Sequence, residues 1–361
     1  MHLANPANEG HHTTRPTLKD VAALAHTSVA TASNVLSGRD KFVSDSLTER
    51  VKEAASALGY RPNLVARSMK GKSRNLVAIL VPEFWNPVFT RIVTGAERVA
   101  AQNGYLPLIC STEGDARRQE EYIEGIVAQQ VDGCLLTPVS SDPDSLGAVV
   151  ASGIPCVVLD RPLRNSFNHP SVTYDMAGAA GTVVNYLARR GHRRIGFIGW
   201  NSPAVGARAE GFREATRALR LLDEDCPILM GELTRESGAR LVRECLEAGK
   251  AHGGITALLL GHHHLGEGAV MELARAGIRW PDDLSVVVYG NPTWAQMMHP
   301  AFTCVDLPDA DMGKMAMEIL IQMLRGRPPQ VVHTVLPCAL VERGSVRTVS
   351  QTNERGSDQD D

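Results

Sequence analysis

The sequence has no long apolar run and no recognisable leader. None of its apolar stretches approaches the roughly 20 residues that a membrane-spanning helix needs. The opening segment, "MHLANPANEGHH", lacks the basic start and the apolar stretch of a signal peptide. We therefore expect a soluble cytoplasmic protein with no membrane partner. With 361 residues, 43% of them hydrophobic, the chain can bury a large core and should divide into two or more domains.

Paired cysteines and the common catalytic motifs are also missing. The seven cysteines are an odd number and stand singly, with no C-x-x-C pair, which predicts reduced, buried thiols rather than disulfides or zinc ligands. There is no P-loop, no G-x-S-x-G, no H-E-x-x-H and no G-x-G-x-x-G after a strand. We therefore predict no catalytic residue, no cofactor and no metal site.

Charge is distributed unevenly along the chain. Residues 13–74 contain 11 Lys and Arg against 5 Asp and Glu, a balance of +6. Since the whole chain carries −3 and Glu9 is the only formal charge before this segment, the remainder carries −8. Chance variation is one explanation, and a phosphate-binding head on an acidic body is the other.

The basic head has the pattern of a helix-turn-helix. In "PTLKDVAALAHTSVATASNVLSG", Thr17 and Asp20 have the spacing of a capping box for a first helix. Ser28 or a neighbour begins a second helix, and small alanines would let the two helices cross closely. A third helix is predicted in "SDSLTERVKEAASALG", capped by Ser44 or Ser46, and residues 63–69 form a short fourth helix after Pro62.

The acidic body alternates short apolar strands with helical patterns. "LVAILV", "YLPLIC", "VDGCLLT" and "IPCVVLD" are separated by segments of helical spacing, and the alternation resumes through "RIGFIG", "ALLL" and "LSVVVYG". Such alternation is typical of parallel βαβ units. We predict an α/β body with two doubly wound parallel sheets.

These motifs occur in an order that resembles the LacI/GalR family of bacterial transcription regulators. The resemblance extends over residues 17–347 and rests on "TLKDVAALAHTSVATASNVLSG", "LGYRPNLVARSMKGKS", "LVAILVPEFWNPVF", "VDGCLLTP", "DRPL", "RRGHRRIGFIG", "RAEGFREA" and "LPCALVERGS". It implies a homodimeric operator-binding repressor with a helix-turn-helix head, a hinge helix and a core shaped like a periplasmic sugar-binding protein. An enzyme or a periplasmic binding protein would be the rival functions on such a core.

The resemblance also implies which residues contact DNA. Val29, Ala30 and Asn34 match the base-contacting positions; the first two suit a thymine methyl group, and Asn34 can make a bidentate contact with adenine. Met69 matches a residue that wedges between bases from the minor groove, the alternative being ordinary apolar packing. The other expected DNA contacts are Thr17, Ser28, Thr31, Ser33, Asn63, Ala66 and Arg67.

A ligand of an open α/β sheet lies beyond the carboxyl ends of its strands. The loops at predicted strand ends are 84–89, 160–161, 175, 200, 262 and 289–291. From these loops and one helix we expect the effector contacts Trp85, Phe89, Arg161, Asp175, Trp200, Arg208, His262 and Asn291. Arg208 matches the effector-binding Arg of many relatives, and its alternative is a surface or helix-capping Arg.

Three consecutive histidines depart from the family pattern. His262 and His263 stand where many relatives have Asn-Asp, and Gly290 stands where they have a second Asp. Carboxylates suit sugar hydroxyls, so an ordinary sugar is not expected here. Neighbouring helix residues point about 100° apart, so three histidines cannot all reach one metal ion; a metal site would use at most two of them, with Glu267 as the nearby carboxylate. An exposed or structural turn is one alternative; the other is a pocket for a sugar derivative or another anionic or acceptor-rich metabolite.

The domain boundaries follow from these patterns. We predict disordered ends at 1–15 and 349–361, a DNA-binding domain at 16–60, a hinge and linker at 61–74, and a core at 75–348. The first lobe of the core should comprise 75–174 and 304–335, and the second 175–303 and 336–348. The expected partners are palindromic operator DNA, a small-molecule effector and a second copy of the chain, in a dimer or a tetramer.

Overall fold

The chain divides into two compact units, Met1–Arg74 and Asn75–Asp361. The computed structural model describes residues 16–36, 43–61, 74–140, 142, 146–161, 163, 169–201, 206–221, 225–250, 252–327, 329 and 332–349. The two predicted disordered ends, apart from residue 349, and the predicted hinge helix at 63–69 lie outside the described residues.

The first unit contains the three predicted helices of the head. They are α1 (Leu18–Leu24), α2 (Val29–Leu36) and α3 (Asp45–Ala57). Thr17 caps α1 through a reciprocal capping box, in which its own N–H donates to the Asp20 carboxylate at 2.7 Å. Ser28 begins α2 by accepting the N–H of Thr31 at 3.0 Å. The small core that joins the helices consists of Val21, Ala22, Ala25, Ala32, Val35, Val51, Ala54 and Ala55.

The second unit contains two parallel-dominated sheets, and the predicted α/β fold class is confirmed. The first sheet has the strands β1 (Leu76–Val81), β2 (Leu106–Ser111), β3 (Gly133–Leu136), β4 (Cys156–Asp160), β5 (Ser171–Tyr174) and β11 (His333–Leu336). The second has β6 (Ile195–Trp200), β7 (Ile228–Gly231), β8 (Ala257–Leu260), β9 (Ser285–Tyr289), β10 (Thr303–Asp306) and β12 (Ala339–Val341).

Helices connect the strands, both within each sheet and from one sheet to the other. They are α4 (Pro87–Gln102), α5 (Ala116–Ala128), α6 (Gly147–Ser152), α7 (Met176–Arg189), α8 (Gly206–Ala218), α9 (Arg235–Lys250), α10 (His263–Arg275), α11 (Thr293–Met297) and α12 (Asp309–Leu324). The strand order is β11-β5-β4-β3-β1-β2 in the first sheet and β12-β10-β9-β8-β6-β7 in the second. In the described residues, the β10–β12 pair is the one antiparallel pairing. The central strands are buried along their whole length, as apolar runs covered on both faces require.

The predicted lobe boundaries are wrong by a few residues at both later crossings. Residues 304–306 were predicted in the first lobe, but they belong to β10, which pairs with β9 in the second sheet. Leu336 was predicted in the second lobe, but it pairs with Tyr174 in the first sheet. A strand of four residues with mixed polarity carries no mark of the sheet to which it belongs, so only the pairing decides which one it joins.

Two glycines let α4 and α12 approach closely in the first lobe. A Cβ on Gly95 would lie 2.0 Å from the carbonyl oxygen of Ala310, and a Cβ on Gly313 would lie 1.9 Å from that of Ile92. Any side chain at either position would therefore push the helices apart. This contact holds α12, the helix that follows β10 in the chain, against the first lobe.

All seven cysteines are free, six of them buried and Cys338 partly exposed, which confirms the prediction of unpaired, mostly buried thiols. No helix within the described ranges has the length and apolar character needed to span a bilayer.

Candidate functional site

The α2 helix presents the predicted DNA-reading residues on one face. Ser28, Val29, Ala30 and Asn34 are exposed, whereas Ala32 on the opposite face is fully buried in the head. Val29 leaves 43% of its surface in solvent at the start of the helix, so its apolar side chain is available for contact.

The other predicted DNA contacts have different surroundings. Thr31 and Ser33 are half-buried, and the hydroxyl of Thr31 lies 2.9 Å from that of Ser28. Thr17 is exposed, but its hydroxyl donates to Asp20 within the capping box. The four hinge contacts, Asn63, Ala66, Arg67 and Met69, lie outside the described residues.

The candidate effector cleft lies where strands of the two sheets of the second unit end. It is a small cavity of about 30 Å³, room for little more than one water molecule. Side chains from the ends of β1, β4, β6, β8, β9 and β10 and from α4 and α8 line it, as expected for a ligand site of open α/β sheets. These lining residues are Glu83, Asn86, Val88, Phe89, Asp160, Arg161, Trp200, Arg208, His262, His263, Tyr289 and Leu307.

Five of the eight predicted effector contacts line this cavity, namely Phe89, Arg161, Trp200, Arg208 and His262. Trp85 lines a separate, outer cavity. Asp175 and Asn291 line neither. Asp175 caps α7 by accepting the N–H of Gly178 at 2.9 Å, and Asn291 donates to Asp306 and accepts from Arg343.

Arg208 is held in a fixed orientation. Its Nη1 donates to the carbonyl oxygen of Gly261 at 2.7 Å, and its Nε lies 3.3 Å from the sulfur of Met176. Its guanidinium carbon lies 4.2 Å from the centre of the Tyr289 ring, within the range of a cation–π contact. Since the residue is only 7% exposed, the alternative of a surface Arg is wrong.

His262 is a neutral, oriented hydrogen-bond donor. Its Nδ1 accepts the N–H of His264 at 3.1 Å and so caps α10. Burial, with the nearby His263 and Arg208 adding to it, holds the pKa of His262 well below its ordinary value. A neutral ring that accepts through Nδ1 carries its proton on Nε2, so His262 can donate from Nε2.

His263 is also buried and neutral, and its position depends on a glycine. Burial, reinforced by Arg208, lowers the pKa of His263 to about 3, and its ring stacks on that of His262 at 4.4 Å. Its Nε2 is buried without a hydrogen-bond partner. Gly290 has a φ of +93°, and a Cβ there would lie 3.2 Å from Nδ1 of His263. A side chain at residue 290 would therefore crowd the imidazole of His263.

The third histidine differs from the other two. His264 leaves 22% of its side chain exposed, its Nδ1 lies 3.6 Å from Glu267, and its ring lies 4.7 Å from that of Trp85. The three imidazoles therefore share no common ligand position. No group of three His, Cys, Asp or Glu residues that could hold a metal ion occurs among the residues that the structure describes.

Two carboxylates in the cleft were not among the predicted site residues. Burial raises the pKa of Glu83, against the opposing charge of Arg161, and burial likewise raises the pKa of Asp160. Asp160 has a left-handed backbone with a φ of +60°, a conformation that Asp tolerates better than most residues. Arg161 lies 3.8 Å from Asp160, and its Nε is buried without a hydrogen-bond partner.

A signal for some of the missed residues was present in the sequence. Asn86, Val88, Asp160 and Tyr289 stand in the loops at predicted strand ends, but nothing in the loops themselves showed which side chains point inward. Leu307 could not have been found in that way, because its strand was predicted in the other lobe. The direction in which a loop side chain points depends on the backbone conformation of the loop, which composition does not encode.

Known families match both units. The model described as "Bacterial regulatory proteins, lacI family" matches residues 17–63, and the model described as "Periplasmic binding protein-like domain" matches residues 184–346.

Full-length relatives agree with these matches. The HTH-type transcriptional repressor CytR of Escherichia coli is 30% identical over 338 residues, covering 93% of this chain and 98% of that protein. A solved complex of the transcriptional regulator CelR with cellobiose is 29% identical, with a TM-score of 0.68, covering 92% of this chain and 100% of the other. A lac repressor dimer bound to operator has the same fold, with a TM-score of 0.82 at 23% identity over 92% of this chain and 100% of the other. The predicted class of function, a DNA-binding transcriptional regulator with an effector-binding core, is thereby confirmed, and the relatives are regulators rather than enzymes. The chain belongs to the lacI family of bacterial regulatory proteins.

Proposed function

We propose that this protein is a cytoplasmic, homodimeric repressor that binds a palindromic operator and is controlled by an anionic, acceptor-rich sugar derivative. The proposal rests on the match to a repressor over nearly its whole length and on a cleft in which Arg161, Arg208 and His262 are buried hydrogen-bond donors. Dimerisation matters because two heads related by a two-fold axis read two half-sites of a palindrome.

The exposed face of α2 would read the operator in the major groove. Val29 and Ala30 offer only apolar contact, which suits thymine methyl groups, and Asn34 offers the amide pair that recognises adenine. Thr17, Ser28, Thr31 and Ser33 would hold phosphates or orient the helix. Asn63, Ala66 and Arg67 would contact the centre of the operator, where Met69 would wedge between base pairs.

The chemistry of the cleft favours a ligand with several acceptor oxygens. Arg161 and Arg208 supply guanidinium donors, and the neutral ring of His262 supplies one more. The carboxylates of Glu83 and Asp160 can accept hydrogen bonds from ligand hydroxyls, while an anionic group of the ligand would pair with the arginines. Phe89 and Trp200 would pack against the ring of the ligand. Asp175 and Asn291, which lie outside the cavity, would join only after a rearrangement.

A cavity of about 30 Å³ is too small for any sugar ring, so effector binding requires the lobes to open and reclose around the ligand. Such a change can alter DNA affinity only if the effector binds the two core states with different affinity, by a coupling of roughly 1–3 kcal/mol.

The first experiment defines the DNA site. Selection from a random DNA library should recover a palindrome, and fluorescence anisotropy should give at least about 1,000-fold tighter binding to it than to random DNA, with affinity falling steeply as salt rises. Binding to the selected DNA no tighter than to random DNA would refute the repressor assignment.

The second experiment tests the effector class. Isothermal titration calorimetry compares gluconate and glucuronate with glucose, which has the same configuration at C2 to C5 and no carboxylate. We expect at least about tenfold tighter binding of an acid than of the neutral sugar, and loss of that difference in Arg208→Met, because a charge-assisted contact is lost. Equal affinity for acid and neutral sugar would refute an anionic effector.

A further inference from the structure

A wide cavity, the arginine cavity, lies at the C-terminal end of α7 and shares no lining residue with the cleft. It has a volume of about 760 Å³, and its wall includes Arg189, Arg190 and Arg193. Among its described lining residues there is no Asp or Glu. The wall therefore carries positive charge and attracts anionic groups.

The three arginines are only partly neutralised by their neighbours. Nη2 of Arg190 donates to Glu342 at 2.9 Å, but both side chains are solvent-exposed in part, where an ion pair contributes little. Nη1 of Arg193 donates to the carbonyl oxygen of Ala188, which has no formal charge. Arg189 is exposed and has no hydrogen-bond or ion-pair partner among the residues that the structure describes. The dipole of α7 favours these cations at its C-terminal end, but it leaves their charge open to a further anion.

The chain itself leads out of this cavity. The N–H of Val349 donates to the carbonyl oxygen of Arg190 at 2.8 Å, and a Cβ on Gly191 would lie 2.1 Å from the carbonyl oxygen of Val349. Two residues earlier, the carbonyl oxygen of Arg347 lies 3.1 Å from Nε2 of His192. The backbone up to Val349 is thus fixed against the turn that follows α7, so the next residues of the chain start from the wall of the arginine cavity.

The sequence that follows has the complementary charge. Residues 350–361, the acidic segment, read "SQTNERGSDQDD" and contain four acidic residues and one basic residue, a balance of −3. They include no hydrophobic residue, so any attraction to the cavity is electrostatic. Twelve residues span up to about 40 Å when extended, so carboxylates along the whole segment can reach the arginines.

We propose that the acidic segment docks in the arginine cavity of its own chain, where its carboxylates pair with Arg189 and Arg193. Guanidinium groups form charge-assisted hydrogen bonds with carboxylates, often two at a time. Because these pairs are open to solvent, salt weakens them, and they do not require one fixed conformation of the segment. The docked segment covers the arginines and keeps the cavity closed to other anions, the phosphates of nucleic acid among them.

Zero-length cross-linking of the full-length protein tests this contact. Arg189→Lys keeps the positive charge and supplies an amine, which a carbodiimide joins to a carboxylate only when the two groups touch. Arg117→Lys is the matched control, because Arg117 is an exposed arginine on α5 outside the cavity. Mass spectrometry should show an amide bond between residue 189 and the acidic segment at least about tenfold more often than one between residue 117 and that segment, since docking raises the local concentration.

Salt and the mass of the product separate the outcomes. The cross-linked product should have the mass of one chain on a denaturing gel, and its yield should fall at least about threefold from about 0.02 M to about 0.5 M NaCl, because salt screens exposed charges. A product with the mass of two chains would place the segment of a second copy in the cavity and overturn the proposal. Equal cross-linking to residues 189 and 117 in the two variants would also overturn it.

Amide hydrogen exchange gives a second test without a cross-linker. Arg189→Glu reverses the charge of an exposed side chain, and Arg117→Glu is its control outside the cavity. The acidic segment has the same sequence in both variants and in the wild type, so its intrinsic exchange rates are equal. We expect the segment to exchange at least about twofold faster in Arg189→Glu than in the other two proteins, because docking slows exchange. Equal rates in all three proteins would overturn the proposal.

Discussion

Replacing Gly290 with Ala tests whether the cleft was built around His263. The new Cβ has two separate consequences. A φ of +93° is a conformation that L-residues rarely adopt, and holding one there costs about 1–3 kcal/mol. The Cβ would also lie 3.2 Å from Nδ1 of His263, closer than ordinary van der Waals contact, and a forced fit in a packed core costs about 1–3 kcal/mol.

A matched control separates the two costs. Gly277 also has a positive φ, +71°, but a Cβ there would meet nothing within 4 Å. Gly277→Ala should therefore destabilise the core through backbone strain alone, by about 1–2 kcal/mol. Gly290→Ala should cost more, about 2–6 kcal/mol, because strain and steric contact add.

A double-mutant cycle then assigns the excess to the histidine. His263→Ala opens space beside residue 290, so the Gly290→Ala change should cost about 1 kcal/mol less in that background than in the wild type. The same cycle with Gly277→Ala should show no coupling, because residue 277 has no neighbour to relieve. Urea unfolding followed by far-UV circular dichroism gives each free energy of unfolding. Equal costs for the two glycine variants, together with no coupling to His263, would refute the inferred packing.

Three further predictions follow from the site and the core. Asn34→Ala should weaken binding by about 1–3 kcal/mol at one symmetric pair of operator positions and hardly change binding to random DNA. Fluorescence anisotropy on single-base variants of the operator measures this effect. Uniform weakening on all sequences would make Asn34 a phosphate contact. His262→Ala should lower the free energy of unfolding by about 1 kcal/mol through loss of the helix cap, and it should abolish the response to effector. His262→Asn should keep the cap. Equal free energies of unfolding for the two variants would show that the imidazole does not cap α10. Burial raises the pKa of Asp309 to about 6 from an ordinary 3.8, so the folded state holds the carboxyl proton more tightly than the unfolded state. Protonation of Asp309 therefore stabilises the fold fully below about pH 4, and this stabilisation is lost as the pH rises towards 6. Asp309→Asn should lack that fall, so the difference between the urea-unfolding pH profiles of wild type and variant should change by on the order of 1–3 kcal/mol over this pH range. Parallel profiles would contradict the raised pKa.

Much of the local structure was predictable because its causes are local. The capping box of Thr17 and Asp20 spans three residues, and the strands follow from apolar runs such as "LVAILV" that must be buried on both faces. Helical periodicity places Ala30 and Asn34 on the face opposite the buried Ala32 and so predicts their exposure. The same periodicity groups Val29 with Ala32, so the exposure of Val29 at the start of the helix was not predicted by it.

The candidate cleft was predictable only in part. Parallel strands present their carboxyl ends at one edge, so the loops that carry Arg161, Trp200 and His262 could be expected to meet. The same reasoning placed Asp175 and Asn291 in the site, yet each is bonded to groups of its own neighbourhood instead. Position at a strand end brings a residue near the site, but the loop conformation decides where its side chain points.

The sequence by itself determined the three helices of the head, most of the central strands of the two sheets and the doubly wound class of the body, because short-range spacing and burial are sufficient causes for them. The tertiary structure alone decided that β10 joins the second sheet and that Glu83 and Asp160 lie in the cleft beside the arginines. It also decided that His263 fits beside Gly290, two residues 27 positions apart in the chain. Strand pairing, burial of charge and contact between distant residues depend on the whole packed chain, and no local pattern contains them.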